Sequence, residues 1–320
     1  MKKKKMSITG EFLHHASAMA KSIDARAIIL YADVFSGLKE LEDFLRDSGQ
    51  VPVILATRGG TGQEPDLEGG EVIRVPGIRL TRLGQIKIAV LVGFSKGYFK
   101  KGDRLVCLSG IAGSGMLDTL VIMDVGDEFE MFAATGAADV ASNITPEVFE
   151  RVLDIATTLG YEGREGKPVG TTFVIGDVEK VMQLSRQMVL NPFRGYTEEE
   201  RNILDPSLEE TVKEFAVIDG AFVIQADGHI EAAGVYLKPE TGGESLPRGL
   251  GTRHRSAAGI TATTEAVAIT VSESTGTVTV FRGGNILIEL ERPRPIGSSH
   301  LQEANAFPGL RRPEEQEKPD

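Results

Sequence analysis

The chain has no tryptophan, one cysteine, and aromatic residues at only 6% of its 320 positions. Cys107 alone cannot close an intramolecular disulfide, so the fold does not rest on one and a reducing compartment is expected. Its apolar flank, Leu105, Val106 and Leu108, reads as core packing rather than as the surroundings of a nucleophile. No stretch reaches the roughly 18 consecutive apolar residues of a membrane span. Lys2 to Lys5 imitate the basic head of a signal peptide, but Ser7 to Asp24 lacks the apolar run that must follow. A cytoplasmic protein with no membrane partner is expected. Positive charge is also in deficit, 35 Lys and Arg against 46 Asp and Glu, for a net charge of −11. Without a broad positive field, a general nucleic-acid or anionic-membrane binder is disfavoured, while a local basic pocket is still allowed.

What is present suffices for a sizeable core, since 41% of the residues are hydrophobic. A chain of this length makes one large domain or two ordinary ones, and two are expected. Phe12, Leu13, Ala16, Met19, Ala20 and Ile23 recur at helical spacing and predict an amphipathic helix over about 9–24. A strand at Ala27–Tyr31, a helical pattern through Leu38, Leu41, Phe44 and Leu45 closed by Gly49, and a strand at Val51–Ala56 form a strand–helix–strand unit, which implies a parallel sheet. A Gly-rich loop from Thr57 to Gly70 leads to a short strand near Val72, a helix at Arg82–Phe94, and strands at Arg104–Leu108 and Thr119–Val125. The first domain is expected to end near residue 135.

The second half opens with a helix capped by Thr145, running from Pro146 to Leu159 and ended by Gly160. A strand follows at Thr172–Ile175, then a helix at Asp177–Val189, a turn at Asn191–Tyr196 and an acid-rich helical stretch over 197–214. Strands at Phe215–Gln225 and Ile230–Leu237 flank Asp227-Gly228, a strong hairpin signal. Strands at Thr264–Ser272, Thr277–Phe281 and Ile286–Leu290 complete a domain over 136–290, and Pro and charge mark a flexible tail over 291–320. No internal repeat is visible.

Several motifs invite functional readings. Gly110, Gly113 and Gly115 follow a strand but precede another strand, so a plain turn is favoured over a phosphate loop. Arg58-Gly59-Gly60-Thr61-Gly62 offers backbone N–H groups to an anion, although such loops are more often connections. His14 and His15 lack a further ligand at metal spacing. Two segments matter more. Asp219 interrupts the apolar run Phe215–Ile224, where a carboxylate is costly unless it meets a cation or donors. A bound metal and a structural ion pair with an Arg both satisfy that demand, and the adjacent Gly220 permits close approach of a ligand to the backbone. Arg253, His254 and Arg255 concentrate donors after Gly249, Gly251 and Thr252, ahead of a helix expected at Ser256–Ile260. Two guanidinium groups and a helix start can clamp a triphosphate; the bland reading is a basic surface cluster.

Ala25–Tyr31, Val51–Thr57 and Lys101–Gly110, in this order of elements, resemble the C-terminal α/β domain of pyruvate kinases, which implies a fold rather than that activity. Asp219-Gly220-Ala221, Gly234-Val235-Tyr236-Leu237, the run from Gly251 to Thr261 and the run from Val271 to Gly276 resemble the diadenylate cyclase domain, whose signatures are an Asp-Gly-Ala and an Arg-His-Arg triplet. The expected fold class is therefore α/β: a pyruvate-kinase-C-terminal-like three-layer domain over 1–135 and a mixed-sheet cyclase domain over 136–290, a pairing that resembles the archaeal branch.

The resemblance implies condensation of two ATP into cyclic di-AMP with Mg²⁺ or Mn²⁺ as cofactor. Asp219 would hold the metal near the attacking ribose 3′-hydroxyl, Gly220 and Ala221 would line the nucleotide pocket, and Leu237 would meet the adenine through its backbone. Gly251, Thr252, Arg253, His254 and Arg255 would hold the triphosphate, with Ser272 and Glu273 completing the site. Many relatives carry a second acid after the Ser-Glu pair, where this chain has Ser274. Two protomers are expected to face each other about a two-fold axis, with a higher homo-oligomer such as a hexamer also compatible. The rival reading is a degenerate domain that binds ATP as a sensor without turnover.

Overall fold

The computed structural model describes residues 7–35, 41, 44, 51–58, 71–77, 80–125, 144–238 and 251–292. Its first part is a helix, α1 (Ile8–Ser22), followed by strands β1 (Ala27–Tyr31), β2 (Val53–Arg58) and β3 (Glu71–Val75), helix α2 (Arg82–Ser95), and strands β4 (Arg104–Gly110) and β5 (Leu117–Asp124). The sheet order is β3-β2-β1-β4-β5, parallel except for the antiparallel β4–β5 pair. The alternation of strands with helices accounts for the parallel core, because only a crossover can return the chain to start a parallel neighbour. Gly113 and Gly115 lie in the turn between β4 and β5, as a plain turn requires, and Cys107 is fully buried in β4. Leu41 and Phe44 are helical and buried; the rest of that expected helix, the glycines of the 59–70 loop, the boundary near residue 135 and the tail beyond Arg292 lie outside the described residues.

The second part comprises α3 (Pro146–Glu162), β6 (Thr171–Ile175), α4 (Val178–Gln183), β7 (Ser185–Gln187), α5 (Glu209–Phe215), β8 (Ala221–Ile224), β9 (Ile230–Leu237), α6 (Thr252–Thr263), β10 (Val267–Val271), β11 (Val278–Arg282) and β12 (Asn285–Leu290). The strands form one seven-stranded sheet, β12-β11-β10-β6-β8-β9-β7, in which only β6–β8 is parallel. The molecule is thus mixed α/β with two mixed sheets.

Three local expectations are corrected. The helix expected over Asp177–Val189 stops at Gln183, because Ser185–Gln187 pairs with the outer edge of β9. The strand expected from Phe215 begins only at Ala221, since Phe215 ends α5 and a turn follows. Gly160 does not end α3, which runs on to Glu162 and is capped at Gly163 with φ 70°; Thr145 sits at the N-cap position but its side chain makes no capping bond.

The two faces of the second sheet carry separate cores, as period-two alternation demands. Phe173, Ile175, Ile269 and Val271 point to the α3 side, and this core is continuous with that of the first sheet. Val174, Ala268, Ala257, Ala258 and Ile260 form the core under α6. Small residues on α6 let the helix lie close to the sheet. Contacts between the two parts include the Lys96–Glu150 ion pair at 2.9 Å and a hydrogen bond donated by Lys87 Nζ to the Glu289 carbonyl at 3.3 Å. Among the described residues, no helix is long and apolar enough to cross a membrane.

Candidate active site

Strand register builds the floor of the site. Reading across the sheet, Gln187, Val235, Ala221, Thr172, Thr270, Thr279 and Glu289 are consecutive partners on β7, β9, β8, β6, β10, β11 and β12. Residues in one such row share a face of a sheet. A cavity of about 1000 Å³ opens over it, and Val235, Ala221, Thr172, Thr279 and Glu289 all line it. Its walls are the turn before β8, the end of β9, the first turn of α6 and the turn after β10.

Asp219 is not inside a strand, as the sequence pattern suggests, but in the turn after α5, where its side chain is 82% exposed at the cavity. Gly220 next to it has φ +117°, and a Cβ there would stand 2.6 Å from the Gly234 carbonyl carbon. The glycine is therefore demanded by the backbone packing of β9 and by its own dihedral, in addition to lining the cavity. Ala221 then starts β8 with its side chain on the floor.

The Arg-His-Arg triplet also sits elsewhere than expected, within the first turn of α6 rather than in a loop ahead of it, with Gly251 at the N-cap. Successive helical residues point about 100° apart, so the three side chains diverge. Arg253 reaches across the cavity: Nη2 donates to Asp219 Oδ1 at 3.1 Å and Nη1 to Glu273 Oε2 at 3.2 Å. His254 points down and is buried, its Nε2 lying 3.4 Å from Thr279 Oγ1 and its ring edge-on to Phe281. Burial, with the charge of Arg253 adding to it, pulls the His254 imidazole below its ordinary pKa, which favours the neutral ring. Arg255 is exposed and lies outside the cavity wall. Asp219, Gly220, Ala221, Leu237, Gly251, Thr252, Arg253, His254, Ser272 and Glu273 all line the one cavity.

The turn carrying Ser272, Glu273, Ser274 and Thr275 is closed by Gly276 N–H donating to the Ser272 carbonyl and Ser272 N–H to the Thr277 carbonyl, both at 2.9 Å. It is pinned from behind by α3. A Cβ on Gly160 would overlap the Gly276 carbonyl oxygen, and one on Gly276 the Gly160 oxygen.

Comparison with known proteins bears on this arrangement directly. Residues 158–286 match the family described as DisA bacterial checkpoint controller nucleotide-binding, and residues 9–132 match the probable sensor domain DacZ_P. The chain is 36% identical over 209 residues to a diadenylate cyclase of Haloferax volcanii, covering 65% of this chain and 75% of that one. The chain belongs to the diadenylate cyclase family. It is also 36% identical over 193 residues to the diadenylate cyclase of Methanocaldococcus jannaschii, 60% of this chain and 61% of the relative's length. With the cyclic di-AMP synthase CdaA of Bacillus subtilis it shares 44% identity over 72 residues, 22% of this chain and 26% of that one.

A diadenylate cyclase acts on ATP, and the donor set would fit a divalent metal beside its triphosphate. The carboxylates of Asp219 and Glu273 both open to the cavity, and no group of three or more metal-ligating side chains is gathered among the described residues. A Mg²⁺ ion would be held in this way, by one or two carboxylates with phosphate oxygens and water supplying the rest. Several wall residues escape sequence reasoning: Thr172, Thr279, Tyr236, Met188 and Glu289. The signal for the threonines is their recurrence inside fully buried strands. Tyr236 lies in β9 and Met188 just after the edge strand β7, and the register of that pair is not revealed by the sequence. Arg186 lies over the Tyr236 ring, 5.0 Å from its centroid.

Proposed function

We propose that the protein condenses two ATP molecules into cyclic di-AMP with release of two pyrophosphates. The observation that carries this reading is the convergence of Asp219, Arg253 and Glu273 at the mouth of a cavity large enough for a nucleotide. The adenine lies toward Leu237, whose backbone ends β9 at the cavity wall. The triphosphate lies at the N-terminus of α6, where Thr252 and the unpaired N–H groups of the first turn favour an anion and Arg253 adds charge-assisted contacts. Held there, an α-phosphate presents its phosphorus to the 3′-oxygen of a second ATP. The O–P bond forms in line as the bond to the β-phosphate breaks, the 3′-hydroxyl gives up its proton to water, and pyrophosphate carries the charge away.

Mn²⁺ or Mg²⁺, held by Asp219 with phosphate oxygens and water, would neutralise charge on the reacting phosphate. His254, neutral and engaged with Thr279, positions the floor rather than moving a proton. Ser272 and Glu273 close the phosphate side. Because each cavity accepts one ATP, two protomers face each other about a two-fold axis, and Arg255, exposed beside the mouth, serves the nucleotide of the facing copy. The first domain, expected over residues 1–135 and matching a probable sensor domain over 9–132, acts as the sensing part, and Lys87 on α2 connects it to the rim strand β12 at Glu289.

Dilution of the full-length protein with saturating ATP and Mn²⁺ tests this reading. Cyclic di-AMP formed per protomer is expected to fall once the protein is diluted below the dissociation constant of the facing dimer. Undiminished activity in a demonstrably monomeric sample would contradict the two-fold arrangement, and no cyclic di-AMP at any concentration would contradict the reading itself.

A further inference from the structure

Gly170 lies just before β6, is buried, and does not line the cavity. Unlike Gly220 and Gly276, it has no positive φ, so its backbone conformation is open to any residue. What it lacks room for is a side chain. A Cβ at this position would stand 2.6 Å from Arg253 Nη1, 3.0 Å from Arg253 Cζ and 2.8 Å from Glu273 Cβ. The guanidinium of Arg253 therefore passes over the bare Cα of Gly170 on its way between Asp219 and Glu273, the two carboxylates it bridges at 3.1 and 3.2 Å.

We propose that Gly170 is a positioning residue for the cyclase reaction, holding open the space in which Arg253 lies flat across the cavity and sets its distance to the bound phosphates. The assignment rests on the nucleotide-binding reading of the cavity. Since the first atoms to yield to a new methyl group are the free end of a flexible arginine, the fold tolerates alanine while the guanidinium is pushed from its seat. Glu273 Cβ, the other obstacle, belongs to the turn held by α3 and yields less readily, so the methyl group also costs some stability there whether or not an arginine occupies position 253. A glycine kept for sheet packing alone would behave differently, because its replacement would cost stability without weakening the hold on a nucleotide.

A double-mutant cycle in the full-length protein separates these cases. Wild type, Gly170→Ala, Arg253→Ala and the double variant are compared for affinity toward a non-hydrolysable ATP analogue, for turnover and for melting temperature. Gly170→Ala is expected to unfold cooperatively and to bind the analogue roughly tenfold or more weakly, the scale of a lost charge-assisted contact. In the Arg253→Ala background the same substitution is expected to change affinity by less than about twofold, because the group it displaces is gone. Wild-type affinity in Gly170→Ala, or an undiminished further loss in the double variant, would overturn the assignment. Should Gly170→Ala fail to fold, the double variant decides: a cooperatively folded double variant supports the clash with the guanidinium, and one that also fails to fold places the obstacle at the Glu273 turn and overturns it. Analogue binding reads the role of Gly170 even if the wild type made no cyclic di-AMP, so the two proposals fail separately.

Discussion

Arg253 Nη2 lies 3.1 Å from Asp219 Oδ1, joining the first turn of α6 to the turn before β8. Both groups are substantially exposed, and an ion pair of this kind contributes little to stability. Its meaning is geometric. The guanidinium proposed to meet phosphate and the carboxylate proposed to meet metal hold each other in place, with Glu273 on the other side of the guanidinium at 3.2 Å. On the proposed reading, a nucleotide phosphate would compete for Arg253 and in doing so free Asp219, so nucleotide and metal are expected to enter cooperatively.

The two arginines of the triplet should respond differently to removal. Arg253→Ala is expected to weaken binding of a non-hydrolysable ATP analogue by roughly 1.5–3 kcal/mol, the worth of a hydrogen bond to a charged group. Arg255→Ala is expected to leave that affinity nearly unchanged while lowering turnover, because Arg255 lies outside the wall of its own cavity. Calorimetry beside a product assay distinguishes them, and equal losses of affinity would place both side chains on one nucleotide.

Gly160→Ala tests the pinning of the 272–276 turn. In a helix interior this change ordinarily stabilises by about 1 kcal/mol. Here the methyl group would meet the Gly276 carbonyl, and overpacking against backbone costs about 1–3 kcal/mol. The expected result is a net loss of stability in urea melts together with reduced activity from a displaced Ser272–Glu273 edge. A gain in stability would show that the turn is free to move.

His254 predicts a pH dependence whose sign follows from its depressed pKa. Between the lowered folded value and the ordinary value of about 6.5, the unfolded chain binds more protons than the folded one. Stability attributable to His254 is therefore complete above that ordinary value and is lost as pH falls through the window below it. Urea midpoints measured from neutral pH downward should fall more steeply for the wild type than for His254→Gln, and parallel profiles would show that the buried ring does not titrate with unfolding.

Much of the fold is legible because local pattern and global structure agree. β1 and β9 have the bounds their apolar runs suggest, and Asp227-Gly228 does turn the chain between β8 and β9. The errors have physical causes. Asp219 sits in an apolar run that reads as one long strand, yet its first half, Val217 and Ile218, is exposed in a turn. Gly160 reads as a helix stop, whereas its small size serves contact with Gly276. The triplet was legible as a cluster of donors, but its division into Arg253 inside, His254 below and Arg255 outside depends on helix phase. The floor of Thr172, Thr270 and Thr279 depends on strand order, which no local pattern encodes.

The central claim is tested most directly by incubating the full-length protein and its Asp219→Asn variant with ATP over a Mn²⁺ titration and identifying the products by mass. The substitution is nearly isosteric and removes the charge with which Asp219 would hold the metal. The account predicts cyclic di-AMP with two pyrophosphates per product from the wild type, and none from a folded Asp219→Asn at any metal concentration. Binding of ATP by the wild type without product, or product at the wild-type rate from Asp219→Asn, would contradict it.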